Sequence, residues 1–233
     1  MRFKKTHGDD PNKLLFLDID GVLNSSAFFQ CSEQYRRDKI KNPRHARMYD
    51  LKKLDLLKEI HDKTKCTIVM SSSWRVFYFN PDSKSRLGDS CMGLKRDLKR
   101  NKIVIRYKTS GNYDKEEYLR QTKIEWIKND SDTFNTHFKD TGEACPGIIK
   151  FYERGYQINE FLQKWKKRYP KVKFAVLDDD SGDLVLFGER FVQTRWYGKT
   201  EDECGLTVKH VEKCIRLLND KNTKRVFSKR RYN

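Results

Sequence analysis

The chain has 233 residues, with 50 lysines and arginines against 33 aspartates and glutamates, so its formal charge is +17. This charge excludes an acidic protein, and an aromatic content of 12% is too high for a disordered chain. The length indicates one large domain or a core with an insertion. Six scattered cysteines without a C-x-x-C pair argue against a zinc site or a disulfide scaffold.

The chain shows no targeting or membrane signal. Its first residues lack the long apolar stretch of a signal peptide, and no run of 18 apolar residues occurs anywhere. We therefore expect an intracellular protein, cytoplasmic or nuclear, with reduced thiols and no membrane contact. The sequence leaves the oligomeric state open.

Short apolar runs alternate with longer segments of helical periodicity, and this alternation predicts an α/β protein with helices on both faces of a mainly parallel sheet. Five strands are predicted, at residues 14–19, 66–70, 103–105, 174–177 and 190–194. Helices are predicted after a cap at Asp50, from near Arg154 to the break at Pro170, and after a cap at Thr207.

Two segments depart from this pattern. Residues 107–147 show little periodicity, and we interpret them as an insertion in a domain of residues 1–220, with a small cap or lid as its role. Residues 221–233 hold six basic and no acidic residues and are predicted to be a flexible tail. Without the tail the charge is 17 − 6 = +11, so the excess is spread over the domain. This favours RNA or DNA as a partner, bound without base specificity.

Polar side chains follow three of the predicted strands. Asp18 and Asp20 come from the end of the first strand, Ser71 and Ser72 follow the second, and an acidic run at 178–183 follows the fourth. Ligands of open parallel sheets bind beyond the carboxyl ends of the strands, near the point where the strand order reverses. Because converging carboxylates repel each other and hard oxygen ligands suit Mg²⁺, the pattern predicts a magnesium site.

The same residues favour phosphoryl transfer. Asp18 can act as a nucleophile, because carboxylates form acyl phosphates. Asp20 can protonate the leaving oxygen and later accept a proton from water. Candidates for binding the phosphoryl oxygens are Ser71, Ser72, Arg75, Arg154 and Lys150. Arg154 is the first choice over Lys150 as the basic residue, and Trp74 either stacks on a substrate base or packs against the core.

The segments at the ends of the predicted strands resemble the motifs of a known family. The run LLFLDIDGVLN at 14–24 resembles the first motif of the haloacid dehalogenase (HAD) superfamily, and Ser71 matches the second motif. Asp178 and Asp179 with Asp183 match the fourth. Together with SSSWR at 71–75, RG at 154–155, LDDD at 177–180 and GLT at 205–207, the combination is similar to the HAD domains of Swiss Army Knife RNA repair proteins. The resemblance covers about 14–106 and 147–219.

The resemblance implies a Rossmann-like HAD fold with a five-stranded, mainly parallel sheet and a small insert or cap. It also implies a Mg²⁺-dependent phosphatase that works through an aspartyl-phosphate and acts on phosphorylated RNA or DNA ends. The alternatives are a phosphomonoesterase for nucleotides or other small molecules, a phosphatase for phosphoproteins, and a catalytically silent nucleic-acid-binding module.

The resemblance also implies roles for individual residues. Asp18 would be the nucleophile and a metal ligand, and Asp20 the acid and base whose main-chain carbonyl also meets the metal. Ser71 would bind the phosphoryl group. Asp179 would be the metal-binding acid, with Asp178 as the alternative, and the basic residue of the third motif stays open between Arg154 and Lys150.

Overall fold

The computed structural model describes residues 8–42, 46–80, 86–110 and 146–220. The strands are β1 (Asp10–Leu17), β2 (Cys66–Met70), β3 (Tyr107–Lys108), β4 (Lys173–Asp178) and β5 (Phe191–Gln193). The helices are α1 (Ser26–Cys31), α2 (Glu33–Lys41), α3 (Leu51–Thr64), α4 (Arg75–Phe79), α5 (Arg86–Arg100), α6 (Pro146–Lys166) and α7 (Val208–Asn219). A 3-10 segment, Gly182–Arg190, lies between β4 and β5.

The five strands form one parallel sheet in the order β3-β2-β1-β4-β5. The chain builds β2 and β3 on one side of β1 and then crosses to β4 and β5 on the other side. The strand order therefore reverses between β1 and β4, which is the place where ligands bind in sheets of this kind. This architecture confirms the predicted α/β Rossmann-like fold.

The sheet is buried on both faces. Along β1, Leu15 and Leu17 pack into a core with residues of α3, α5 and α7. The alternate residues Leu14 and Phe16 pack into a second core with residues of α6 and the 3-10 segment. Successive side chains of a strand point to opposite faces, so a strand covered on both sides needs an unbroken apolar run. This explains why the β1, β2 and β4 segments stand out in the sequence.

Two predicted helix caps are present. The backbone N–H of Lys52 donates to Asp50 Oδ1 at 2.8 Å, so Asp50 caps α3 as predicted. Thr207 caps α7, and His210 Nδ1 accepts from the backbone N–H of Thr207 at 3.2 Å. Each cap satisfies backbone donors that have no partner inside the helix.

The predicted position of the third strand is wrong, and the first residues of the predicted insertion lie in or next to the sheet. The third strand is Tyr107–Lys108, which pairs with Val69 and Met70 at the end of β2. Ile103 and Ile105 are buried in the core without belonging to the sheet. Their alternating burial produces a strand-like pattern, although the chain joins β2 only at residue 107. Residues 107–110 thus belong to or directly follow β3.

The other boundary of the predicted insertion also shifts. Helix α6 begins at Pro146, eight residues before Arg154, and proline is well tolerated in the first turn of a helix. Residues 111–145 of the predicted insertion and the predicted tail at 221–233 lie outside the described residues. Within the described ranges, we find no helix whose length and apolar content would let it cross a membrane.

Polar contacts join the first strand and the last helix at the edge where β1 begins. Lys13 Nζ donates to Asn219 Oδ1 at 2.8 Å and to the carbonyl of Thr64 at 3.1 Å. Trp165 Nε1 donates to the carbonyl of Pro11 at 2.8 Å, so α6 is fastened to the same edge. These contacts lie opposite the carboxyl ends of the strands.

Candidate active site

Strand register places Asp18 at the centre of the candidate site. Leu17 lies opposite Met70 in β2 and Leu177 in β4, so the residues that follow them also lie side by side. The backbone N–H of Asp18 donates to the carbonyl of Leu177 at 3.0 Å, and that of Ser71 donates to the carbonyl of Leu17 at 2.9 Å. Asp18 therefore lies between Ser71 and Asp178, where the strand order reverses.

Three carboxylates converge at this point. Asp18, Asp178 and Asp179 each bring one carboxylate oxygen within 4.8 Å of the others. Burial raises the pKa of all three side chains, and the neighbouring Asp18 carboxylate adds to this effect at Asp178 and Asp179. The pKa of Asp179 is raised to about 6. Two buried carboxylates and one half-buried carboxylate at this separation require a positive charge to remain ionised together.

Arg154 of α6 supplies one positive charge to the cluster. Its Nη1 atom lies 2.8 and 2.7 Å from the two carboxylate oxygens of Asp178 and 3.3 Å from Asp18 Oδ2. Burial lowers the pKa of Arg154, but Asp18 and Asp178 outweigh burial and raise it above its ordinary value. Lys150 lies one helical turn earlier in α6, but its side chain is outside the described residues. The structure thus brings Arg154 to the predicted site.

A tight turn after β1 makes room for Asp179. Gly21 has a φ of +67°, in the left-handed region that favours glycine. A Cβ atom at Gly21 would lie 2.1 Å from Asp179 Cγ, so a side chain cannot fit there unless Asp179 moves. Thr194 Oγ1 donates to the carbonyl of Gly21 at 2.6 Å and ties this turn to the end of β5.

Asp20 is held by two donors that the sequence did not reveal. Asn24 Nδ2 donates to Asp20 Oδ1 at 2.9 Å, and Trp74 Nε1 donates to Asp20 Oδ2 at 3.0 Å. Asn24 Oδ1 also accepts the backbone N–H of Gly21 at 3.0 Å, so one amide fixes both the turn and the carboxylate. Trp74 is buried, so the hypothesis that it stacks on a substrate base is wrong. The Asp20 carboxylate is not among the three that converge, and metal contact through its carbonyl stays a prediction.

The turn after β2 contains an orphaned hydroxyl. Ser71 Oγ is buried and has no hydrogen-bond partner among the described residues, and the same holds for Asp18 Oδ1 beside it. Ser72 is also buried, and its hydroxyl accepts the backbone N–H of Trp74 at 3.3 Å. Because buried polar atoms are rarely left unpaired, Ser71 Oγ and Asp18 Oδ1 point to a ligand.

Arg75 binds the protein rather than reaching outward. Its guanidinium donates to the carbonyls of Ser71 and Ser72 at 3.0 and 2.9 Å and to Gln157 Oε1 of α6 at 3.1 Å. These bonds hold the β2 turn against α6. Contact of Arg75 with substrate phosphate stays a prediction.

The sequence did not assign a role to Asn24 or Gln157, and it did not predict that Trp74 donates to Asp20. Asn24 ends the LLFLDIDGVLN segment at 14–24, and an asparagine close behind a turn glycine is a usable signal, since its amide can bond the local backbone. No local signal identifies Gln157, because it meets Arg75 only after α6 has packed on the sheet.

A parallel sheet with this reversal, an aspartate at its centre and an acidic cluster beyond β4 define a Rossmann-like protein of the HAD class. Residues 14–211 match the family described as the HAD domain in Swiss Army Knife RNA repair proteins, and the chain belongs to this family. No curated protein and no solved structure matches the chain.

HAD domains generally use Mg²⁺, and the donor set fits this ion. Three carboxylates supply hard oxygen atoms, and Asp18 Oδ1 has no hydrogen-bond partner among the described residues. A divalent cation beside them would favour their ionised forms, which burial disfavours.

Proposed function

We propose that the chain is a Mg²⁺-dependent phosphomonoesterase that works through a phosphoaspartate at Asp18 and acts on phosphorylated ends of RNA or DNA. The proposal rests on the groups that surround the Asp18 carboxylate. Arg154 lies 3.3 Å from one oxygen of Asp18. The other oxygen of Asp18 and Ser71 Oγ are buried and have no hydrogen-bond partner in the part of the chain that the structure describes. A nucleophile, a cation and a free hydroxyl thus meet at one point.

The chain's own residues account for both chemical steps. The Asp18 carboxylate attacks phosphorus, the ester P–O bond breaks, and Asp20 gives its proton to the leaving oxygen. Water then attacks the phosphoaspartate and loses a proton to Asp20, which releases inorganic phosphate and restores Asp18. Arg154 and the Ser71 hydroxyl stabilise the charge on the phosphoryl oxygens during both steps.

Asp179 is the better candidate than Asp178 for the second metal-binding acid. Both oxygens of Asp178 accept from Arg154, and Oδ1 also accepts the backbone N–H of Asp180 at 3.0 Å. We therefore assign Asp178 to positioning Arg154. Asp18, Asp179 and the main-chain carbonyl of Asp20 would hold Mg²⁺, which supplies charge neutralisation between the carboxylates and the phosphoryl group.

Two observations favour a nucleic-acid substrate. The chain keeps a formal charge of 17 − 6 = +11 when the six basic residues of its last 13 are left out. A surplus of this size attracts polyanions by releasing their counterions. The family description also refers to RNA repair proteins, whose substrates are nucleic acids. Small phosphomonoesters and phosphoproteins are the competing substrates.

The proposal is tested by measuring phosphate release by the wild type and by Asp18→Asn. The amide is nearly isosteric but cannot attack phosphorus, so release should fall to background while the melting temperature stays close to that of the wild type. Asp55→Asn makes the same chemical change at an exposed position of α3 and should keep full activity. Removal of Mg²⁺ by a chelator should stop release, and added Mg²⁺ should restore it.

The substrates are RNA and DNA oligonucleotides with a 3′ or a 5′ phosphate, free nucleotides, a phosphopeptide and an aryl phosphate. Turnover of one oligonucleotide end at a kcat/KM well above that of the small esters supports the full proposal. Preference for small esters or the phosphopeptide contradicts the nucleic-acid part. Activity that survives Asp18→Asn contradicts the mechanism, and absence of turnover on every substrate favours the binding module.

A further inference from the structure

The loop between β5 and α7, residues 194–207, begins with an exposed aromatic ring that has a basic side chain on either side. In the segment Arg195-Trp196-Tyr197-Gly198-Lys199, the two cations each lie two residues from Tyr197. Tyr197 is 77% exposed and is the one aromatic residue among the exposed large hydrophobic residues in the described part of the chain. Arg195 and Lys199 are also exposed, and neither forms an ion pair with another described residue. Nothing in the proposed chemistry uses these side chains.

Several contacts hold this loop in a defined shape. The backbone N–H and the hydroxyl of Ser26 both donate to the carbonyl of Trp196 at 3.0 Å. The ring of Trp196 lies 6.0 Å from that of Phe29, and the N–H of Gly205 donates to the carbonyl of Arg195 at 2.8 Å. Tyr197 therefore presents its ring from a braced loop, which lowers the ordering cost of binding.

The loop starts beside the candidate active site. Thr194 Oγ1 bonds the carbonyl of Gly21 at 2.6 Å, and Asp179 packs directly over Gly21. Tyr197 follows Thr194 by three residues, a separation that an extended chain spans in about 11 Å at most. A strand whose terminal phosphate lies at Asp18 would thus have its neighbouring nucleotides within reach of Tyr197.

We propose that Tyr197, Arg195 and Lys199 form a subsite for single-stranded nucleic acid next to the phosphorylated end. The ring of Tyr197 stacks on one base and the two cations contact backbone phosphates, a combination that binds strands without reading their sequence. One exposed ring between two cations matches one base between two backbone phosphates, and this favours nucleic acid over a peptide. The placement of the terminal phosphate at Asp18 rests on the proposed function. Binding of the strand at the subsite can be measured without turnover.

The first test measures binding of fluorescently labelled ten-nucleotide single strands, phosphorylated at either end, to the full chain carrying Asp18→Asn. Tyr197→Ala in this background should weaken binding about 5- to 150-fold, the range typical of losing one base–aromatic stack. Tyr197→Phe keeps the ring and should bind nearly as tightly as the parent. Equal affinity of the Ala and Phe variants would overturn the proposal.

The cations are tested by the salt dependence of the same binding. Arg195→Gln with Lys199→Gln should make the slope of log K against log salt less steep by about 1.4, since each phosphate contact to a single strand contributes about 0.7. Lys167→Gln with Lys171→Gln removes the same charge from exposed positions just before β4, at the opposite edge of the sheet, and should leave the slope unchanged. Equal slopes for the two double variants would exclude these phosphate contacts.

A single abasic unit, placed in turn at each of the four nucleotides nearest the phosphate, identifies stacking directly. One position should weaken binding to the parent but not to Tyr197→Ala, because the variant has already lost the stack. If every abasic position weakens binding to the parent and to Tyr197→Ala equally, Tyr197 does not stack on a base. Equally tight, Tyr197-dependent binding of a phosphopeptide of matched charge would reassign the loop to a protein partner. Because Asp18→Asn prevents turnover, these outcomes are independent of whether the proposed phosphatase activity is found.

Discussion

Gly21→Ala is expected to reduce the proposed activity far more than it reduces the stability of the fold. Gly21 has a φ of +67°, and an L-residue in this left-handed region costs about 1–2 kcal/mol. For a chain of this size that loss lowers the melting temperature by about 2–8 °C. The new Cβ atom would also lie 2.1 Å from Asp179 Cγ. Carbon atoms need about 3.5 Å, so Asp179 must move by about 1.4 Å or more.

This displacement affects the proposed chemistry more than the stability. A misplacement of about 1 Å in a catalytic group can cost a factor of about 100 in rate. We therefore expect kcat for phosphate release to fall at least about 100-fold in Gly21→Ala. Mg²⁺ bound as proposed should raise the melting temperature of the wild type. This rise should be lost in Gly21→Ala, since Asp179 would no longer meet the ion in its original position.

Gly188→Ala is the matched control. Gly188 lies in the 3-10 segment with a φ of +55°, and an added Cβ atom there would meet no atom within 4 Å. Its variant should therefore lose stability through backbone strain but keep both activity and the response to Mg²⁺. The reasoning is refuted if Gly21→Ala keeps a kcat within tenfold of the wild type, or if Gly188→Ala loses as much activity as Gly21→Ala.

Two further predictions concern the charges of the cluster. Arg154→Gln leaves buried Asp18 and Asp178 without their cation, so the free energy of unfolding at pH 7 should fall by about 3–5 kcal/mol, and Arg154→Lys should recover part of it. Urea denaturation measures the stability of both variants. An unchanged midpoint in Arg154→Gln would show that the ion pairs of Arg154 with Asp18 and Asp178 do not stabilise the fold. The raised pKa of Asp179, about 6 against an ordinary 3.8, means that between these values the unfolded chain has released a proton that the folded chain keeps. Without metal, the wild type should therefore lose stability relative to Asp179→Asn as the pH rises from about 4 to 6, and Mg²⁺ should remove this loss. The melting temperatures of the two proteins are measured against pH in metal-free buffer. The same change with pH in both proteins would contradict the raised pKa of Asp179.

The fold was predictable where burial is two-sided. Strands β1, β2 and β4 are covered on both faces, so each appears as an unbroken apolar run. The third strand was misplaced because alternating burial of Ile103 and Ile105 resembles strand periodicity, whereas pairing begins only at Tyr107. Periodicity reports which side chains are buried and does not report hydrogen bonding between backbones.

The centre of the site was predictable for a similar reason. Asp18 and Ser71 directly follow buried strands and Asp178 ends one, and parallel register brings such positions together. The donors to Asp20 come from turns without periodicity, so the sequence did not indicate that Asn24 and Trp74 would meet the same carboxylate. Residues placed by the sheet can be predicted, and residues placed by irregular turns require coordinates.

The bond between Lys13 and Asn219 has a consequence for how this domain can be joined to other chains. It brings the beginning of β1 and the end of α7 together at the edge opposite Asp18. A protein fused directly to the start of β1 or to the end of α7 would therefore attach at the edge of the sheet opposite Asp18, with the length of the strands between it and the proposed phosphate site. The same closeness suits circular permutation, because a short linker could join the two ends and new ends could be opened elsewhere without changing the strand order.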